Sequence, residues 1–400
     1  MEASKKATGG AWEVFQAFLS LGLTSFGGPV AHLGYFREAF VVRRKWMSEQ
    51  AYADLVALCQ FLPGPASSQV GMAVGLRRAG YIGMLAAWAA FTLPSAILLV
   101  AFAFGAAAVG AESGAGWIQG LKAAAVAVVA HAVLGMARSL APDRERGTIA
   151  VLGMIIAMLI PTSLGQVAAI LAGGLLGLAL LRTPEFGNGV HEDLGVTVGK
   201  RAGAAFLLVF LVLLIVLPVL AAVTGDGALR MADSFYRAGS LVFGGGHVVL
   251  PLLQAETVET GLVSREAFLA GYGAAQAVPG PLFTFAAYLG AVQESWPDGI
   301  VGALIALVAI FAPSALLVLG GLPFWDGLRT SPTARRALMG VNAAVVGLLA
   351  AALYDPVFSQ GITSSVAMAI AAASFVALAL WAVPAWAVVV AAGGLGAALL

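Results

Sequence analysis

Apolar stretches recur along almost the whole chain, and none of them alternates apolar and polar residues with the period of two expected of a barrel strand. Their lengths predict helices, several of which fall short of the ~20 residues that cross a bilayer. The short ones lie beside clusters of glycine and proline, which indicates helices that break inside the membrane. The predicted helices cover residues 12–28, 49–62, 66–78, 81–106, 117–138, 149–160, 164–181, 203–223, 228–243, 247–260, 266–278, 282–293, 299–320, 335–354, 362–381 and 384–399.

Composition places these helices in a lipid bilayer. Of the 400 residues, 60% are hydrophobic and only 10% are charged, too few to cover the surface of a soluble protein of this size. A net charge of +1 argues against a nucleic-acid partner. The single cysteine, Cys59, excludes an internal disulfide, and the four histidines lack the spacing of a zinc site. We therefore predict an all-α polytopic membrane protein with no metal, no cofactor and no catalytic residues.

The sequence repeats itself on either side of one polar stretch. SLGLTSFGGP (20–29) aligns with RAGSLVFGGG (237–246), and SEQAYADLVALCQFLPGP (48–65) aligns with SREAFLAGYGAAQAVPGP (264–281). Further along, FTLPSAILL (91–99) aligns with IFAPSALLV (310–318) in the same order, which indicates an internal duplication. The predicted domains are residues 1–181 and 202–400, joined by a polar cytoplasmic linker at 182–201, and the second domain begins with an extra span at 203–223.

The loop charges of the two halves are opposite in pattern. Residues 37–46 contain four basic residues, whereas the corresponding residues 254–266 contain one, and three further loop pairs follow the same rule. Short cytoplasmic loops are enriched in lysine and arginine, so this antisymmetry predicts inverted halves, with the N-terminus in the cytoplasm. Arg230 and Arg237 are exceptions, because the pattern places them near the outer side.

The FGG and PGP motifs coincide with the predicted helix breaks. A helix that begins after such a break points free backbone N–H groups and its positive dipole end into the protein, and anions bind at such ends without a cationic side chain. Gln60 and Gln276 lie three residues before the two PGP motifs and can bridge the broken backbone or contact a substrate. Ser67, Ser68 and Thr284 follow the motifs and can add hydroxyl donors. A packing kink is the alternative interpretation of each motif.

Polar residues within apolar helices are the second set of candidates. Lys122 lies in an otherwise apolar helix, where an ammonium is costly, so it either contacts the substrate or extends to the outer interface. Its partner in the repeat is the neutral Asn342. His32 and His247 follow the two FGG breaks, and each is a candidate either for proton coupling or for packing. His131 is interpreted as a packing residue.

Four segments carry a family resemblance: SFGGPVAHL (25–33), LCQFLPGPASSQVG (58–71), FGGGHVVLPLL (243–253) and AAQAVPGPLFTFAAYLGA (274–291). Together they closely resemble the chromate ion transporter family in its long form, which has two fused homologous domains. The family's motif positions carry over to Phe26, Gly27, Gly28, Pro29, Gln60, Pro63, Gly64 and Pro65 in the first half, and to Phe243, Gly244, Gly245, Gly246, His247, Gln276, Pro279, Gly280 and Pro281 in the second.

The resemblance implies a secondary carrier of a bacterial-type inner membrane that exports chromate and thereby confers chromate resistance. Sulfate is the isostructural oxyanion, so the expected partners are chromate or sulfate and the lipid bilayer, and a homodimer is left open. Two alternatives stay open on the same scaffold, an anion channel and an uptake carrier for sulfate. A membrane enzyme or assembly protein that shares the duplication is the remaining alternative.

Overall fold

All regular elements are helices in the computed structural model, which describes residues 9–108, 116–182, 198–243 and 246–400. Six of these helices are long and apolar enough to cross a membrane. The prediction of an all-α polytopic membrane protein is confirmed. The short helices adjoin the glycine- and proline-rich motifs, so the predicted helix breaks are confirmed as well.

Seven helices form the first half of the chain: α1 (Ala11–Thr24), α2 (Gly28–Arg37), α3 (Glu49–Phe61), α4 (Ala66–Ala108), α5 (Gly116–Leu140), α6 (Arg144–Leu159) and α7 (Ser163–Leu180). The remaining helices are α8 (Lys200–Thr224), α9 (Gly227–Ser240), α10 (Val249–Thr257), α11 (Arg265–Ala277), α12 (Phe285–Val292), α13 (Gly299–Gly321), α14 (Trp325–Thr330), α15 (Pro332–Ala352), α16 (Ser359–Gly361), α17 (Ser365–Ala379) and α18 (Ala385–Leu399). Short 3₁₀ turns cover Gly246–Val248, Leu282–Thr284 and Leu322–Phe324, and π-helical turns cover Glu38–Arg43 and Leu353–Phe358.

The two halves repeat the same order of helices. Helix α1 packs along α4 as α9 packs along α13. Helix α4 is interrupted at Ala79 and Gly80, whose backbone angles are not helical, and the same point of the second half is the gap between α12 and α13. Helix α8 precedes the second half as the predicted extra span, and exposed side chains such as Leu208 and Ile215 suit it to contact with lipid.

The last two helices of each half pack against a helix of the other half. Helix α5 packs against α17 and α18, and α15, its counterpart, packs against α6 and α7. Glycines make these contacts close, because a Cβ on Gly340 would overlap the carbonyl oxygen of Gly173, and one on Gly396 would overlap that of Gly116. Small residues are the usual means by which helices approach each other in membranes. The halves are therefore interlocked rather than packed side by side.

The structure differs from the sequence prediction after the first FGG motif. The predicted helix 12–28 ends at Thr24. Helix α2 lies almost entirely where no helix is predicted, and the π-helical turn Glu38–Arg43 lies within the predicted loop 37–46. Two glycines and a proline interrupt the apolar run there, although proline in the first turn is compatible with a helix start. Helix α14 was also missed, because its six residues are too short for a periodic pattern.

Arg237, an exception in the loop-charge pattern, is ion-paired inside the protein. Its guanidinium lies 2.6 Å from a carboxylate oxygen of Asp233 on the same helix and 3.1 Å from one of Glu256 on α10. Both carboxylates are buried. A guanidinium paired with two buried carboxylates does not act as a free loop charge, so Arg237 does not weigh against the charge pattern.

Candidate functional site

The FGG and PGP motifs of opposite halves are joined by two reciprocal backbone hydrogen bonds. The N–H of Gly64 donates to the carbonyl oxygen of Val242 at 2.7 Å, and the N–H of Gly280 donates to that of Ser25 at 2.9 Å. Val242 and Ser25 are the residues immediately before the two FGG motifs. Each PGP motif is therefore held by the FGG motif of the other half, an arrangement that a twofold relation between the halves produces.

Only glycine fits at the centre of each PGP motif. Gly64 has φ of 123° and Gly280 has φ of 98°, a backbone region that residues with a Cβ rarely adopt. A Cβ on Gly280 would lie 2.9 Å from the hydroxyl oxygen of Ser95 on α4. A Cβ on Gly64 would overlap the hydroxyl oxygen of Ser314, which is the residue of α13 equivalent to Ser95. The motif thus brings backbone, rather than side chain, to the centre of the protein.

A cavity of about 310 Å³ opens where the first FGG motif meets the second PGP motif. At about 30 Å³ for each water in the liquid, it has room for a small hydrated ion. None of the described residues that line it is an aspartate, glutamate, lysine or arginine. They are Gly27, Gly28, Pro29, Val128, His131, Ala132, His247, Ala275, Gln276, Val278, Gly280, Leu282, Leu378, Ala382, Val383, Pro384 and Ala385.

Four helical segments begin at this cavity. They are α2 at Gly28, the turn before α10 at Gly246, the turn before α12 at Leu282, and α18 at Ala385. No side chain caps the first turn of α2, α10 or α18, or the turn before α12, as is also the case for α1, α7, α8 and α13. Uncapped helix starts offer backbone N–H groups and a positive dipole end, which together favour an anion.

Gln276 adds a side-chain donor to this wall. Its amide nitrogen is shielded from solvent and has no hydrogen-bond partner among the described residues. Gln60, the equivalent residue of the first half, is exposed and does not line the cavity. The duplicated glutamines therefore lie in different surroundings, and only Gln276 is placed to contact a molecule in the cavity.

Two histidines from opposite halves line the cavity. The Nδ1 atom of His247 lies 3.1 Å from the hydroxyl oxygen of Tyr272 on α11. His131 is exposed, lines the cavity and contacts Phe375 of α17 edge-on, so it combines the predicted packing contact with a place on the cavity wall. His32 lies elsewhere, buried between Ser25 and Ser67, with its Nε2 atom 3.1 Å from the carbonyl oxygen of Ser25.

Lys122 and Asn342 do not line the cavity. Lys122 is only 4% exposed, so it does not extend fully to water, and Glu266 at the start of α11 lies close enough to attract its charge. The side-chain oxygen of Asn342 is shielded and has no partner among the described residues. A role for either residue in binding therefore stays a prediction.

The other predicted residues surround the motif junction rather than the cavity. Thr284 donates its hydroxyl to the carbonyl oxygen of Pro281 at 2.8 Å, and Phe26 packs against Trp386 of α18. A Cβ on Gly246 would lie 2.9 Å from the ring of Pro29, so the two FGG motifs contact each other. Gly244 and Gly245 lie outside the described residues. The remaining predicted residues, which do not line the cavity, are Pro63, Pro65, Ser67, Ser68 and Pro279.

A second cavity of about 270 Å³ lies against α15 and the loop between α6 and α7, the counterparts of α5 and the loop between α17 and α18. It is lined by Glu259, Arg265 and Asp355 among other residues, and Arg265 lies 3.2 Å from Glu259. Two carboxylates against one guanidinium leave a negative balance. This second cavity is therefore less suited to an anion than the first.

Comparison with known proteins gives a consistent result. A family model described as Chromate transporter matches residues 12–178 and 229–397. The Chromate transport protein of Pseudomonas aeruginosa is 31% identical over 382 residues, which cover 92% of this chain and 87% of that protein. The Probable chromate transport protein of Synechococcus elongatus is 29% identical, with 85% of this chain and 83% of that protein covered. No solved structure matches the chain.

Proposed function

Because this chain belongs to the chromate transporter family, we propose that it is a secondary carrier that exports chromate across the cytoplasmic membrane and thereby confers chromate resistance. Chromate and sulfate are tetrahedral dianions of the same shape, so we expect sulfate to compete with chromate for one site. We place that site in the cavity between the first FGG motif and the second PGP motif.

The observation that carries this proposal is the set of uncapped helix starts around a cavity without carboxylates among its described lining residues. A strongly hydrated dianion must exchange many water hydrogen bonds at once for protein donors. Residues at several helix starts line the cavity together with Gln276, whose amide nitrogen has no partner among the described residues. Such a set suits a tetrahedral anion better than one cationic side chain does.

The strength of these contacts also suits a carrier. An anion at a helix N-terminus gains about 0.3–1 kcal/mol, and up to about 2 kcal/mol where the site is partly buried. Several such ends bind the dianion without the strong attraction of a lysine or arginine cluster. We infer that the anion is held firmly enough to be selected and weakly enough to be released on the other side.

We further propose that the two halves, residues 1–181 and 202–400, are inverted in a bacterial-type inner membrane, with the N-terminus and the linker 182–201 in the cytoplasm. The antisymmetric loop charges support this orientation. The reciprocal hydrogen bonds of Gly64 and Gly280 support a twofold relation between the halves. Inverted repeats of this kind place substrate sites near the middle of the bilayer, where broken helices meet.

Counterflow in proteoliposomes tests the carrier mechanism. Vesicles loaded with unlabelled chromate should transiently accumulate labelled chromate above the external concentration, and sulfate should compete. Protein-free vesicles are the control. A channel would equilibrate the label without overshoot, and that result would contradict the proposal.

Export is tested in chromate-sensitive cells, which should hold less chromate and survive higher concentrations when they express the protein. Greater accumulation would indicate uptake instead.

A further inference from the structure

We propose that His131 and His247 bind the oxyanion as a pair and take up protons together with it, so that the affinity for the anion depends on pH. This inference rests on the proposed function of the cavity and adds the groups that match the charge of the substrate. His131 reaches the cavity from α5 of the first half, and His247 reaches it from the turn before α10 of the second half.

The two rings line the same cavity, so two imidazolium charges there would repel each other. The second FGG motif also faces the first, because the position of a Cβ on Gly28 lies 3.9 Å from the Nε2 atom of His247. Neither ring nitrogen of His131 has a hydrogen-bond partner among the described residues, so both can bind a proton or donate to a ligand.

The charge balance of the cavity depends on these two side chains. Besides the histidines, the nearest titratable group that faces them is the hydroxyl of Tyr272, 3.1 Å from His247. The acidic side chains on the surrounding elements have other partners: Glu256 pairs with Arg237 at 3.1 Å, Glu266 lies near Lys122, and Asp355 accepts a hydrogen bond from Ser359 at 2.7 Å. Among the basic side chains, Arg265 pairs with Glu259 at 3.2 Å, and Arg37 of α2 pairs with Glu49 at 2.6 Å. Arg335 and Arg336 lie in the first turns of α15, and Arg138 lies two turns beyond His131 on α5.

Protonation of the pair creates the charge that a dianion requires. Two imidazolium groups repel each other when the cavity is empty, and a bound dianion removes that repulsion. Binding therefore favours the protonated forms, and by linkage a lower pH favours binding. Loss of the protons returns the cavity to neutrality and weakens the binding of the anion.

Chromate binding to the purified full-length protein, measured by calorimetry between pH 5.5 and 8.5, tests this inference. Affinity is referred to the concentration of the dianion, which the acid dissociation of chromate fixes at each pH. Affinity should rise as pH falls, by up to about 100-fold per pH unit where two protons are bound and about tenfold where one is bound. Proton uptake during binding, measured in a weakly buffered solution, provides a second reading that a purely structural role would not change.

Variants assign the protons to residues. Each of His131→Gln and His247→Gln should reduce the proton uptake by about one for each anion bound, and the double variant should bind with little dependence on pH. His131→Lys retains a positive charge at high pH, so its affinity at pH 8.5 should exceed that of the parent. His191→Gln, in the predicted linker, is the control and should keep the full pH dependence. His131 is exposed, so its variants should fold even if those of His247 do not.

Unchanged proton uptake in both single variants would overturn the inference while chromate binding itself remained. Loss of uptake in His32→Gln alone would also overturn it and assign the coupling to that buried histidine. Failure of the parent to bind chromate at any pH would instead contradict the proposed function of the cavity. The two failures are therefore distinguishable.

Discussion

Replacing Gln276 by glutamate tests whether the cavity binds an anion. The substitution keeps the length and shape of the side chain and changes an uncharged amide into a carboxylate on the cavity wall. Gln60, its equivalent in the first PGP motif, is exposed and does not line the cavity. Gln60→Glu therefore adds the same charge at the corresponding position of the repeat and serves as the matched control.

The size of the effect follows from the dimensions of the cavity. A sphere of 310 Å³ has a radius of about 4 Å, so a dianion near its centre lies roughly 5 Å from a carboxylate on the wall. Coulomb's law gives a repulsion of about 2 kcal/mol at that separation in water, and about 7 kcal/mol at an effective dielectric constant near 20. Since about 1.4 kcal/mol corresponds to a factor of ten, chromate affinity should fall at least about tenfold.

The assay measures chromate affinity and counterflow for parent, Gln276→Glu, Gln276→Leu and Gln60→Glu at pH 8. The leucine variant removes the amide donor without adding charge and should lose less affinity than the glutamate variant. Gln60→Glu should bind and transport chromate as the parent does. Thermal unfolding and abundance in the membrane verify that each variant is folded. Parent-like affinity in a folded Gln276→Glu protein would refute the placement of the anion in this cavity.

Three further predictions concern topology, Lys122 and the motif junction. In a Cys59→Ser background, a cysteine introduced at Val42 should react with a membrane-impermeant reagent only from the cytoplasm and one at Thr260 only from outside; labelling of both from one side would contradict inverted halves. If its charge attracts the anion, Lys122→Gln should reduce transport strongly and Lys122→Arg partly, whereas parent-like transport in both would remove it from the site. Gly280→Leu should abolish chromate binding in folded protein, because the new side chain collides with Ser95, and parent-like affinity would place the anion elsewhere.

The helix breaks could be predicted from the sequence because their cause is local. Glycine permits left-handed backbone angles and proline removes an N–H donor, so FGG and PGP interrupt a helix in any surroundings. The pattern of apolar and polar residues does not predict α2, where local preferences and tertiary packing compete. That helix contains Gly34 and begins with Gly28 and Pro29, and it forms where its buried Phe36 packs against Phe18 of α1 and Phe91 of α4.

The cavity itself could not be predicted from the sequence. The repeat identifies equivalent residues, but it does not reveal that the first FGG motif pairs with the second PGP motif, because sequence similarity carries no information about which half contacts which. His131 was missed for the same reason. A single histidine in an apolar helix gives no periodic signal, and only the packing of α5 against α17 and α18 brings its ring to a cavity built largely by the other half.

The two halves have diverged at the residues that make the first cavity suited to a dianion. In this chain the residues aligned with His131 and His247 are Ala351 and Val30, which cannot take up protons. The second cavity contains Glu259 and Asp355, whose charges repel an anion, and none of its described lining residues belongs to an FGG or PGP motif. Loss of symmetry at these few positions concentrates binding in one cavity, whereas the reciprocal bonds at Gly64 and Gly280 keep the symmetric junction that joins the halves.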